Sequence, residues 1–387
     1  MKFNKTHFHS LFAIIIFIGI FAMNSDSGII NRVYAFSRQG VLLNLIYEDS
    51  SAFSPDGPVI IYQNEKIVRY QVISDDGKIS TITQEIKKGD SLYCYVDATS
   101  DIFKFKLQDT LLVEDAEFPM PEKILAISDI EGNFRGLKMI LQGNKIIDEK
   151  FNWIFGNNHL VLVGDFFDRG LNVTECLWLI YKLEYESMKV GGKVHFLLGN
   201  HELMNLKGQL KYLRNKYKVN ADSLNLDYSE WYSQNSELGR WLRTKNSIEK
   251  IGSILFVHAG INKNFPKEFS LQEINDSIRK CVDIEFDKDQ QRSNVFIGSV
   301  SPLWYRGIAK QEETQYDVEN TLLHFKADKM IIGHTIVDEI KYLYNQKVID
   351  IDLYHRNNSD RGEMHALWIE DGKFYSIDNY GVKSAIY

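Results

Sequence analysis

Cysteine is scarce in this chain of 387 residues: Cys94, Cys176 and Cys281 are its three, and they are far apart. So few, and an odd number, exclude a disulfide scaffold and a cysteine-rich zinc site. The thiols read as small core residues. No stretch concentrates Lys and Arg, and the formal net charge is −7, so a nucleic-acid surface is not indicated. Six prolines and 25 glycines are too few for a disordered or collagen-like chain. Also missing is an uninterrupted apolar run of the ~20 residues that a membrane-spanning helix needs.

What is present is an ordinary globular composition, 44% hydrophobic and 25% charged, in a length that suggests two domains. Lys2 and Lys5 precede "LFAIIIFIGIFAM", thirteen uncharged and mostly apolar residues at 11–23. That order and size predict a signal peptide over residues 1–23, or a short retained anchor. The expectation is an exported chain, periplasmic or extracellular, touching a membrane only if this segment stays uncleaved. Ala22 offers a small residue for cleavage. No cysteine follows the apolar core, which argues against a lipid anchor.

From 28 to 119 the pattern is short and strand-like. "PVIIYQ", "IVRYQVI", "STITQEI", "SLYCYVD" and "IFKFKL" are rich in β-branched and aromatic residues, and turns such as "SDDGK" and "KKGD" separate them. A small all-β, sandwich-like domain is expected there, without a catalytic cluster. "FPMPEK" at 118–123 reads as a linker. From 121 to 387 apolar runs, "KILAISD", "HLVLVGD", "KVHFLLGN" and "SILFVHAG", alternate with helix-like stretches such as "VTECLWLIYKLEYESM". Near-continuous apolar strands belong in a sheet covered on both faces, and the alternation predicts a layered α/β domain.

Each of those strands carries its polar residues at the carboxyl end, where open α/β sheets place ligands. The first offers Asp129 and Glu131. The second, "GDFFDRG", offers Asp165, Asp168 and Arg169. The third, "GNHE", offers Asn200, His201 and Glu202, and later strands end in His258 and His334. Carboxylate, imidazole and amide oxygen together suit a divalent ion such as Mn, Fe or Zn. Two such ions bridged by one carboxylate clamp an in-line displacement at phosphorus, and Arg169 could hold a phosphate in its planar fork.

"GDFFDRG" and "GNHE", preceded by an Asp-x-ligand-Gly-Asn turn and followed by "HAG" and "GHT", resemble the metallophosphoesterases of the phosphoprotein-phosphatase superfamily. Over about 121–387, "NHELMNLKGQLKYL", "LGRWLRTKNSIEKIGSILFVHAGI" and "SPLWYRG" look most like the Shewanella-like protein phosphatases. The resemblance implies a calcineurin-like β-sandwich with flanking helices, and phosphomonoester hydrolysis by a hydroxide bridging two divalent ions. Manganese ranks first, with iron, zinc and magnesium also compatible. Carried over, Asp129 and Glu131 hold one ion, Asp165 bridges, and Asn200, His258 and His334 hold the other. His201 paired with Asp168 is the general acid, Arg169 binds phosphate, and Arg306 of "LWYRG" is a second phosphate candidate. Phosphotyrosine proteins lead as substrates, then phosphoserine and phosphothreonine. The rivals are a dinucleoside polyphosphate or small-phosphoester hydrolase and a pseudo-phosphatase that only binds.

Glu131 departs from the pattern, because the resembling family usually has histidine there. A carboxylate can still ligate, and it tilts the site toward oxygen-preferring ions. His195 and His365 read as core or edge residues, while for Glu202 a role in supporting the site or the fold stands level with catalysis. The stretch 204–246 reads as a helical insertion over the pocket. Within it Tyr212, Trp231 and Trp241 are either core or an aromatic wall for a phosphoaryl group.

Overall fold

A computed structural model describes residues 31–36, 42–47, 49 and 51–387. The expected signal segment, residues 1–23, lies outside the described residues. The chain divides into two compact units, residues 1–50 and 51–387. In the first, β1 (Asn31–Phe36) and β2 (Leu42–Tyr47) pair antiparallel.

The second unit begins with an antiparallel three-stranded sheet, β3 (Asp56–Gln63), β4 (Lys66–Asp75) and β5 (Lys78–Ile86). A hairpin of β6 (Leu92–Val96) and β7 (Asp101–Phe105) follows. These are the strands expected from the sequence, and they form an all-β region ahead of the α/β fold. They share a core with it. Trp178 stacks on Phe105 with ring centroids 4.4 Å apart, and its indole N–H donates to the Pro58 carbonyl at 2.7 Å.

The remaining strands are β8 (Glu117–Phe118), β9 (Lys123–Ile127), β10 (His159–Leu162), β11 (Lys193–Phe196), β12 (Ile248–Ile251) and β13 (Ile254–Val257). After them come β14 (Lys329–Ile332), β15 (Lys341–Leu343), β16 (Val348–Asp350), β17 (His365–Glu370), β18 (Lys373–Asp378) and β19 (Lys383–Ala385). They build two six-stranded sheets, ordered β11-β10-β9-β17-β18-β19 and β15-β16-β14-β13-β12-β8. The segment read as a linker at 118–123 thus begins in an edge strand, since β8 pairs with β12.

The apolar runs are explained by the two-sided burial. Ile124, Ala126 and Val161 of one sheet meet Ile254, Phe256 and Ile331 of the other in the core between them. The alternate residues, Leu125, Ile127, Leu160, Leu255 and Met330, join the outer core with the helices. A period of two therefore reads as continuous apolarity. Helix α1 (Phe134–Gly143) starts at Asn133, whose side chain accepts the Gly136 N–H. Helix α2 (Val173–Met188) is buried on nearly every side, because strands cover it from both directions.

Within the stretch 204–246, α3 (Asn200–Leu206) ends and α4 (Asn215–Leu224) and α5 (Glu237–Leu242) form, as expected for a helical insertion. Trp231 and Trp241 are core residues, 2% and 0% exposed. The three thiols are free and buried. Among the described residues no helix is long and apolar enough to cross a membrane.

Candidate metal centre

Strands β9, β10 and β11 run parallel, and so do β13 and β14. Their carboxyl ends deliver Asp129, Asp165, Asn200, His258 and His334. Backbone bonds tie the emerging loops together. Asp129 N–H donates to the Gly164 carbonyl at 2.9 Å, Glu131 to that of Asp165 at 3.0 Å, and Gly333 to that of His258 at 2.8 Å.

The turns are tight. Asp129, Glu131, Asp165, Asp168, Arg169 and His334 all adopt positive φ, between 50° and 68°. This is a conformation that side-chain-bearing residues rarely take and that concentrates at functional sites. Gly164 lies at φ +84°, and a Cβ there would meet His258 Nδ1 at 2.7 Å. A Cβ on Gly199 would meet Asp165 Oδ1 at 2.3 Å. Glycine at both positions lets the ligand-bearing loops close on one another.

The closest cluster is Asp165, His258 and His334, all buried, with ligating atoms within 4.8 Å of one another. His258 Nε2 is 3.2 Å from Asp165 Oδ2 and 3.2 Å from His334 Nδ1. Its Nδ1–H donates to the Val163 carbonyl at 2.8 Å, which turns Nε2 toward the cluster, as for metal-bound imidazoles. The Asn200 amide brings one terminal atom within 2.8 Å of His334 Nδ1, 3.1 Å of His258 Nε2 and 3.3 Å of both Asp165 Oδ2 and the Leu303 carbonyl; a nitrogen there donates to these neighbours, an oxygen there is a metal donor. Besides that amide, a carboxylate and two imidazole nitrogens converge here as acceptors. One proton on His258 relieves part of this, whereas a divalent cation satisfies every atom, so the donor set fits a metal.

Electrostatics agrees with that fit. Burial pulls His258 down, but the Asp165 carboxylate outweighs it and carries the group up to about 9. Burial pushes Asp165 up, yet His258, His201 and His334 hold it below the usual carboxylate range. Burial raises Asp129 to about 6, with Asp165 adding to the rise and His258 opposing it. Asp129 Oδ2 accepts the His334 N–H at 3.1 Å.

His201 stands beside this cluster. Its Nδ1 lies 2.6 Å from Asp168 Oδ2 and its Nε2 lies 3.8 Å from Asp165 Oδ2. Asn205, one helical turn later, donates to Asp168 at 3.1 Å and to the His201 carbonyl at 2.9 Å. The sequence reading missed Asn205, although its i+4 spacing from His201 on one helix face was a usable signal. Glu202 receives a definite role. Its carboxylate accepts the backbone N–H groups of Asp165, Phe166 and Gly199 at 2.8, 2.7 and 2.7 Å, clamping two ligand-bearing loops.

Three further expected residues meet partners within the chain. Glu131 Oε1 pairs with Arg169 Nη1, so the proposed ligand and the proposed phosphate fork meet each other. Arg306 Nη1 donates to the His334 carbonyl and to Thr335 Oγ1 at 3.0 Å, bracing the last ligand turn. His195 is buried between Glu249, at 2.5 Å, and His159, at 2.9 Å, an interior network. His365 lies 3.4 Å from Ser376 Oγ.

Aromatic rings flank the centre. Tyr212 lies 5.0 Å from the His201 ring and beneath the Arg169 guanidinium at 5.4 Å. Trp304 meets the His334 ring edge-on at 6.0 Å. Trp304 was not singled out from sequence, nor was Asp352, which follows β16 in the run "IDID". Asp352 is buried, and burial together with Asp129 holds its carboxyl well above the usual range.

Residues 122–338 match the calcineurin-like phosphoesterase family. Over 225 residues the chain is 30% identical to Shewanella-like protein phosphatase 1 of Plasmodium berghei, covering 55% of this chain and 61% of that protein. Over 287 residues it is 24% identical to Shewanella-like protein phosphatase 2 of Arabidopsis thaliana, covering 61% and 72%. The solved structure of a cold-active protein-tyrosine phosphatase from a psychrophile, Shewanella sp., aligns with a TM-score of 0.76 at 30% identity, over 86% of this chain and all of that one.

Proposed function

The chain belongs to the calcineurin-like phosphoesterase family, and on that premise we propose that it is a metal-dependent protein phosphatase. The observation that carries this reading is the cluster of Asp165, His258, His334 and Asn200 set beside the His201–Asp168 pair. Asp165, Asn200, His258 and His334 would hold one divalent ion; Asp129, with Asp165 shared, would hold a second. A bound ion pair supplies Lewis-acid charge and a water acidified toward neutrality. The carboxylate and amide oxygens favour manganese, with iron, zinc or magnesium as alternatives.

The chain's own groups supply the rest. Asp168 fixes the His201 tautomer, so that Nε2 presents its proton to the leaving oxygen. Arg169 orients the phosphoryl group through its fork. Tyr212 and Trp304 offer flat apolar walls next to the His201 and His334 rings. Such walls suit an aryl ester, so phosphotyrosine is the substrate class we place first. The phosphotyrosine activity named for the Shewanella structure supports the same order.

Phosphate release should be compared across a phosphotyrosine peptide, a phosphoserine peptide and a dinucleoside tetraphosphate, each with manganese. The reading expects the first to have the highest kcat/KM. A preference for the dinucleotide would replace it with small-molecule hydrolysis. Export is inferred from the N-terminal order of charge and apolar core alone. Mass spectrometry of the mature N-terminus separates cleavage from anchoring.

A further inference from the structure

Glu131 closes the first ligand loop at φ +50°, and its Oε1 is on Nη1 of Arg169. The Glu131 side chain is 13% exposed and that of Arg169 38%, so the pair is reached by solvent yet partly shielded. Arg169 is held from two other directions. Its guanidinium lies over the Tyr212 ring at 5.4 Å, and its backbone carbonyl accepts from Arg214 Nη1 at 2.7 Å. The Arg169 backbone and ring face thus each have a partner, and a carboxylate of the same chain already meets one nitrogen of its guanidinium.

Guanidinium recognises carboxylate and phosphate through the same planar geometry. We infer that Glu131 is a built-in competitor for the Arg169 fork, displaced when a phosphoryl group binds, and that it sets specificity for dianionic monoesters. The inference rests on the phosphatase reading above.

A tethered carboxylate competes at an effective concentration of order millimolar or more. A monoester dianion brings twice the charge of the carboxylate it displaces and wins the exchange. A diester monoanion brings no more charge than Glu131 and leaves that carboxylate unpaired beside it, so it is rejected. Direct ligation of a metal ion by Glu131, the role implied by the sequence resemblance, makes opposite predictions.

The test compares the manganese-loaded full chain with its Glu131→Gln variant. The readings are KM and kcat for p-nitrophenyl phosphate and bis-p-nitrophenyl phosphate, inhibition by inorganic phosphate, and manganese bound per chain. Glu131→Gln should lower the monoester KM and the phosphate inhibition constant by about fivefold, the size a partly exposed pair supports. It should improve kcat/KM for the diester at least as much, with manganese content unchanged. In an Arg169→Ala background the same substitution should no longer lower KM.

Loss of manganese together with weaker phosphate inhibition would make Glu131 a ligand and overturn the inference. Unchanged KM, inhibition constant and ester preference would overturn it as well. If the wild-type chain hydrolyses neither ester, the phosphatase reading fails by itself. Calorimetric phosphate binding to the two proteins then decides the competition: tighter binding to Glu131→Gln supports it, and equal or weaker binding overturns it.

Discussion

His201 Nδ1 and Asp168 Oδ2 lie 2.6 Å apart, both buried, with Asn205 donating to the same oxygen at 3.1 Å. Burial opposes the charged imidazole, but Asp165 and Asp168 together raise it above its ordinary value. A general acid works only while protonated, so a raised pKa extends activity to higher pH. Asp168→Asn should lower kcat by about 10²- to 10⁴-fold and move the alkaline limb of the pH–rate profile to lower pH. A profile that keeps its alkaline limb in place would remove His201 from that role.

Glu202 is fully buried and accepts three backbone N–H groups from the two loops that carry Asp165 and Asn200. Glu202→Ala orphans all three donors, at about 1–3 kcal/mol for each buried group left unpaired. Urea denaturation of the metal-free chain should show a loss of several such units. A shift of under about 1 kcal/mol, the scale of one ordinary hydrogen bond, would mean that the loops hold themselves.

The strands and the order of site residues were legible because each strand ends in a polar residue next to glycine, and because two-sided burial writes a strand as a solid apolar run. The helix Val173–Met188 was visible for the same reason. Other features depended on contacts distant in sequence. Nothing in "FPMPEK" signals that Glu117–Phe118 pairs with Lys250–Ile251. Nothing in "PVIIYQ" signals that its strand shares a core with Trp178. Glu131 could be recognised as a departure, but its pairing with Arg169 depends on how two left-handed turns face each other.

His355 tests the interior beside the site. It is 2% exposed. Burial, with His365 nearby, pulls it down to about 3 against a backbone contact at Ser128 that acts the other way. An unfolded histidine titrates near ~6.5. Below that pH the unfolded chain takes up a proton that the folded chain refuses. The stability that the neutral ring allows is therefore complete above ~6.5 and is lost as pH falls toward 3, by up to ~1.4 kcal/mol per pH unit. His355→Leu should flatten the stability profile between about pH 6.5 and pH 4. An unchanged slope in denaturant titrations would assign the acid sensitivity elsewhere.

Lys216 connects the all-β region to the catalytic loop. Its ammonium donates to the Leu171 carbonyl at 2.7 Å and lies 3.7 to 3.9 Å from Asp97, Glu175 and Asp56. Lys216→Met leaves buried carboxylates without a counter-charge, which costs about 3–5 kcal/mol where a buried pair is broken. Adding Glu175→Gln should restore part of the loss in thermal unfolding. No recovery in the double variant would take Glu175 out of that charge balance.

The most direct test of the site as a metal-dependent phosphohydrolase is a manganese titration of chelated protein. Bound metal and phosphate release from a phosphotyrosine peptide are followed together, for wild type and His201→Ala. The account predicts no release before metal is added, release that rises with bound manganese, and a variant that binds the metal yet releases little phosphate. Release that is indifferent to chelation, or full activity in His201→Ala, would contradict it.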